Sequence, residues 1–241
     1  MLYLTCRQQD GKKLVSNNNT NFERALELSE NHFSYTQLID LLKSQSIVEK
    51  QFAILNLEEL KSVSDGELLC SNLTGQDGKI REAVSFKLSE LFQNETWARL
   101  LANDKNFEKM LDGLMDINGN VCRNILEIDN KEFLEYLAKN LIKRIKVILE
   151  DISKLKIDDK QYVISKRNFQ LYWALEGLYK VLNLINPHTL KDILLTCAKI
   201  EDYTIKEKTA KIVSVLETKD FDEIKAILKQ NANYYVERYL K

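Results

Sequence analysis

A chain of 241 residues with one proline and seven glycines holds few of the residues that strands spend on their turns. Helix interiors exclude both types, so the scarcity itself points to an all-α protein. The periodicity agrees. From Asp77 to Phe92, the residues Ile80, Val84, Leu88 and Leu91 fall on one helical face, and Ala83 and Phe86 are expected to widen it. Arg81, Glu82, Lys87 and Glu90 take the other side. Asp77 stands just ahead, where a carboxylate can accept from the free N–H groups of the first turn. Glu67 to Leu73 reads as a shorter helix, with Thr74-Gly75-Gln76 as the turn between the two. A helix pair of this kind cannot bury its apolar face without neighbours.

The pattern recurs. Leu38 to Leu42 and the polar Ser44-Gln45-Ser46 lead into a second helix from Ile47 to Leu60, with Phe52, Ala53 and Leu55 expected inward. Leu190 to Ala198 is followed by Glu201-Asp202-Tyr203-Thr204 and a helix from Ile205 to Leu216. The second helices open on a shared spacing: Asp77, Ile80 and Arg81, then Asp202, Ile205 and Lys206, with Asp116, Val121 and Arg123 as a displaced copy. Over about half the chain this grammar resembles HEAT-repeat proteins, whose second helices often open in this way. The resemblance implies a HEAT-like, right-handed α-solenoid of stacked helix pairs over residues 22–241; residues 1–21 are set apart as an N-terminal arm or hairpin. It also implies a protein–protein interaction scaffold or adaptor, not an enzyme.

Leu2 to Cys6 and Leu14-Val15 flank Gln9-Asp10-Gly11-Lys12, which reads either as a short β-hairpin or as a frayed arm. Lys131 to Leu155 is the longest helix expected. Leu134, Leu137, Leu141, Ile145, Ile148, Ile152 and Leu155 recur by threes and fours, broadened by Ala138, Ile142 and Leu149. This stripe suits a spine helix packed inside the domain; the alternative is a dimer seam, so the protein is expected as a monomer or a homodimer. Asp116 to Asn120 is the clearest break mid-chain, where Asn and Gly are expected to take a left-handed backbone and end a helix. Asp116, Asn118 and Asn120 resemble the start of a calcium loop, but Val121 stands where that loop needs glycine.

Catalytic signatures are missing. There is no phosphate-binding glycine loop, no dinucleotide fingerprint, no H-E-x-x-H and no nucleophile elbow. His32 and His188 have no readable partners, and Cys6, Cys70, Cys122 and Cys197 form no C-x-x-C pair, so neither a metal nor a cofactor is expected. The opening residues do not read as a secretory signal, and no run approaches the ~20 apolar residues of a membrane span. A cytoplasmic location is the expectation.

Charge gives the best functional hint. The 35 basic and 36 acidic residues leave a net charge of −1, which argues against a dedicated DNA-coating protein. Between Lys139 and Arg167, however, nine bases stand against four acids. Lys139, Lys143, Arg144, Lys146, Lys166 and Arg167 are the candidate binding residues, with Trp97 as an interface anchor. The partner expected is another protein with an acidic or extended surface. Nucleic acid is the second reading, because some HEAT-like proteins of this size are alkylpurine DNA glycosylases with a basic concave face and aromatic residues at the lesion; Trp97, Trp173 and the basic strip are what this chain would offer. The plainer alternative is that the strip is the solvated side of an amphipathic helix and Trp173 is core.

Overall fold

The computed structural model describes residues 20–155, 161–216, 219–230 and 232–240. Among these residues the chain forms fourteen α-helices and no strand, so it is an all-α protein. The hairpin or arm expected over residues 1–15 and the polar break expected at residues 157–160 lie outside the described residues. In chain order the helices are α1 (20–29), α2 (Tyr35–Leu42), α3 (Ile47–Asn56), α4 (Val63–Ser71), α5 (Gly78–Leu91), α6 (Glu95–Leu101) and α7 (Asp104–Leu114). Then follow α8 (Gly119–Glu127), α9 (Lys131–Ser153), α10 (Gln161–Lys180), α11 (Lys191–Ala198), α12 (Tyr203–Ser214), α13 (Asp222–Gln230) and α14 (Tyr234–Glu237).

Most of these helices start on a side-chain cap. Ser34, Ser46, Ser62, Asp77, Asn94, Asn103, Asn118, Asn130, Asp202 and Asn233 each accept from first-turn N–H groups. Each such cap contributes about 1 kcal/mol and fixes where one helix ends its approach and the next begins. Ser34 goes further, because Gln37 Oε1 accepts back from the Ser34 N–H at 2.8 Å and completes a capping box. The break at Asp116–Asn120 works this way too. Asn118 caps α8, and no residue there takes the left-handed backbone that the sequence suggested; Gly75, with φ 71°, is the only positive-φ residue described.

Contacts between helices run in two rows. In the first, α2, α4, α7, α9, α11 and α13 each touch the next. In the second, α3, α5, α8, α10, α12 and α14 do the same. Cross-contacts join α2 to α3, α7 to α8, α9 to α10, α11 to α12 and α13 to α14, while α6 packs on α4. Between the rows lies one continuous apolar core, running from Ile39 in α2 to Val236 in α14.

The long α9 occupies the middle of the first row, against α7 on one side and α10 and α11 on the other. Phe133, Leu137, Leu141, Ile145, Ile148 and Leu149 are buried in it. The heptad-like seam is therefore spent inside the chain. Leu55 and Phe86 depart from expectation: both were expected in the core, and they are 50% and 47% exposed. Lys87 departs the other way, being buried while its ammonium reaches Glu90 at 2.8 Å. Its methylene stem lies in the packing and its head meets the solvent-facing acid.

Ile145 is fully buried. Ile145→Asp removes that apolar contact and buries an unpaired carboxylate, a cost of about 5 kcal/mol or more, comparable to a whole domain's stability. Loss of helical circular dichroism and of a cooperative melt is the expected outcome; a folded variant would contradict the burial.

Candidate functional site

Polar groups on the second-row helices reach forward to the next pair. Lys50 of α3 donates to Asn72 Oδ1 at 2.8 Å and Gln76 Oε1 at 3.2 Å. Arg81 of α5 forks onto Asp116, with Nε to Oδ2 at 2.6 Å and Nη2 to Oδ1 at 3.0 Å. Glu82 accepts from Asn118 at 3.0 Å and Asn120 at 2.9 Å. Asn124 of α8 donates back to Ser85 of α5 at 3.0 Å. Further along, Asn168 of α10 donates to Asp202 at 2.9 Å, and Glu176 accepts from Lys208 and Lys211 of α12. Burial alone would raise the Glu176 carboxyl, but the two ammonium groups outweigh it and hold its pKa below the ordinary value.

Asp116, Asn118 and Asn120 are thus occupied with Arg81 and Glu82. Among the described residues, no three His, Cys, Asp or Glu side chains gather as a metal site. Of the three basic residues in the repeated spacing, Arg81 alone links neighbouring pairs. Arg123 donates to Asn120 at 3.1 Å and Lys206 to Glu201 at 3.0 Å, both close in sequence.

Leu55 and Phe86, the two apolar residues displaced from the core, come together. They line a cleft of about 510 Å³ on α3, α5 and α8, with Gln51, Lys79, Ala83 and Asn124. At its wall Glu82 and Asn120 are bonded to each other and Asn124 to Ser85, whereas Lys79 makes no ion pair among the described residues. The result is a half-exposed apolar floor within a polar rim, the pattern of a recognition surface.

The basic residues singled out from sequence scatter. Lys139, Lys143 and Lys146 share an exposed face of α9, which belongs to the first row, away from this cleft. None of the three makes an ion pair among the described residues. Arg144 turns the other way and binds Glu108 and, at 2.8 Å, Asp112 of α7. There the Tyr136 hydroxyl, donating at 2.6 Å, and Arg144 hold the Glu108 pKa below its ordinary value, while burial pushes that of Asp112 up. Arg167 pairs with Asp151 at 2.8 Å and donates to Gln170, and Lys166 beside it is half-buried. Trp97 sits on α6 in a separate cleft with residues of α2 and α3. Trp173 packs edge-on against Phe169 and Tyr172 and is half-buried. Arg144 and Arg167 are therefore spent on holding helices together, while Lys139, Lys143 and Lys146 stay exposed on α9.

Cys70, Cys122 and Cys197 are free, buried thiols whose pKa burial pushes up to about 12. No helix among the described residues is long and apolar enough to cross a membrane. No family model and no curated protein matches the chain. Among solved structures it is similar to two crystal structures of engineered proteins from a structural genomics consortium. The first is 14% identical, spans 87% of this chain and 94% of its own, and superposes with a TM-score of 0.41. The second is 17% identical, spans 87% and 96%, and gives a TM-score of 0.42.

The Arg81–Asp116 pair is mostly buried, at 15% and 11% side-chain exposure. Removing either partner strands the other, so Arg81→Met and Asp116→Ala should each cost about 2–3 kcal/mol. In a double-mutant cycle by chemical denaturation the two should couple by about 1–3 kcal/mol; additive effects would show that the fork does not hold α5 to the next pair.

Proposed function

We propose that the chain is a HEAT-like, right-handed α-solenoid that serves as a protein–protein interaction scaffold or adaptor, without catalysis of its own. The observation that carries this reading is the cleft on the second row. Two large apolar side chains, Leu55 and Phe86, stand half-exposed on neighbouring helices where their sequence spacing would have buried them. An extended segment of a partner protein fits such a floor, with an apolar side chain between Leu55 and Phe86 and a carboxylate towards Lys79. The succession of second-row helices supplies a long face of the kind stacked helix pairs present to extended partners. A cytoplasmic setting belongs to the same proposal, since three buried unpaired thiols suit a reducing compartment.

The nucleic-acid reading has less support, because Arg144 and Arg167 are committed to acids within the chain. Lys139, Lys143 and Lys146 remain as its basis.

Two measurements test the proposal. Small-angle scattering of the monomer should return a radius of gyration clearly above the roughly 18 Å of a compact chain of this length. A value at that figure would sink the solenoid. Affinity capture, with and without nuclease, should yield a stoichiometric protein partner that Phe86→Asp loses while its melting temperature stays within a few degrees of wild type, as for a half-exposed site. Capture that survives Phe86→Asp but disappears with nuclease, or with charge reversal of the three α9 lysines, would move the assignment to nucleic acid.

A further inference from the structure

A second cleft, of about 580 Å³, opens where α2, α3 and α6 meet. Its walls carry four aromatic rings and two acids: Phe33, Tyr35, Phe52 and Trp97, with Glu58 and Glu59. All four aromatics are half-buried and line the space. Phe33 and Phe52 meet edge to face at 5.2 Å. Tyr35 already has a cation over its ring, the Lys61 ammonium 4.5 Å from the centroid. Its hydroxyl is used too, donating to Asp65 at 2.7 Å. The acids differ. Glu59 is paired with Lys61 at 3.1 Å, whereas Glu58 is exposed and makes neither a hydrogen bond nor an ion pair among the described residues.

Negative ring faces beside an uncompensated carboxylate favour one class of guest, a bulky, weakly hydrated cation. An anion would meet Glu58, and a purely apolar guest would forgo both the carboxylate and the ring quadrupoles. We propose that this cleft is a binding site for an organic ammonium group, a quaternary or alkylated nitrogen held against the Trp97 ring with Glu58 as its counter-charge. This assignment is independent of the adaptor reading, whose cleft lies on α3, α5 and α8. The ammonium can belong to a small molecule or to a methylated lysine side chain, and the chemistry at the cleft is the same for both.

The test is titration calorimetry on the full chain. Choline and its neutral carbon analogue 3,3-dimethylbutan-1-ol are the first pair of probes. Choline is expected to bind saturably, and the neutral analogue at least about tenfold more weakly. Trp97→Leu and Glu58→Gln should each weaken choline by about fivefold or more with the melting temperature kept near wild type. Should Trp97→Leu not fold, Glu58→Gln carries the test alone, because Glu58 is exposed and has no partner to lose among the described residues. A peptide bearing trimethyl-lysine, set against the same peptide with unmodified lysine, distinguishes a protein-borne ammonium from a small molecule. Equal affinity for choline and its neutral analogue would overturn the proposal, as would the absence of saturable binding by every cation tested.

Discussion

No helix pair in this chain can hide its apolar face alone, and that constraint organises the rest. Helix α5 shows why. Ile80, Ala83, Val84, Leu88 and Leu91 are buried, and so are Ser85, Lys87 and Ser89, which a solvent-facing side would leave wet. The helix needs α3 on one side and α8 on the other. Each of those in turn leans on its own neighbours, so the core is built by succession along the chain. Burying each Leu or Ile contributes roughly 1.5–3 kcal/mol.

A chain that avoids proline and glycine still has to end its helices. Here the work falls to serine, asparagine and aspartate. Asn94, Asn103, Asn118 and Asn130 open four successive helices, each accepting from a first-turn N–H. Such side chains compete with the helix ladder for backbone groups, so they mark boundaries without a left-handed residue. The same turns carry the polar ties between pairs. Asp116 lies in one turn and receives Arg81; Asn72 and Gln76 flank another and receive Lys50. Where chain direction changes, the packing of one pair on the next is also fixed.

The reading from sequence succeeded where a residue's role depends on its own helix. The helix of Ile80 and Val84, the cap at Asp77, and the burial of Leu137, Leu141, Ile145 and Ile148 in α9 all follow from period and local chemistry. It failed where a second helix decides. Leu55 and Phe86 sit at the edges of apolar stripes, and period alone cannot say how far a neighbouring helix extends over an edge. Arg144 and Arg167 look like members of a basic strip until Glu108, Asp112 and Asp151 are seen to face them across helix gaps. Trp97 shares a cleft with Phe33, Phe52 and Glu58, which lie about forty to sixty residues earlier in the chain, and no local pattern joins them to it.

By itself, then, the sequence determined that this protein is all-α, where helices such as α3, α5 and α9 begin, and which residues form the centre of their apolar stripes. It did so because helix propensity, capping and a 3.6-residue period are properties of short stretches. Tertiary structure decided which charges are free and which are spent, and which apolar residues remain exposed. It also set which aromatic and acidic side chains share a cleft. Those outcomes depend on contacts between residues tens of positions apart, whose geometry is fixed only when the two rows of helices close on a common core.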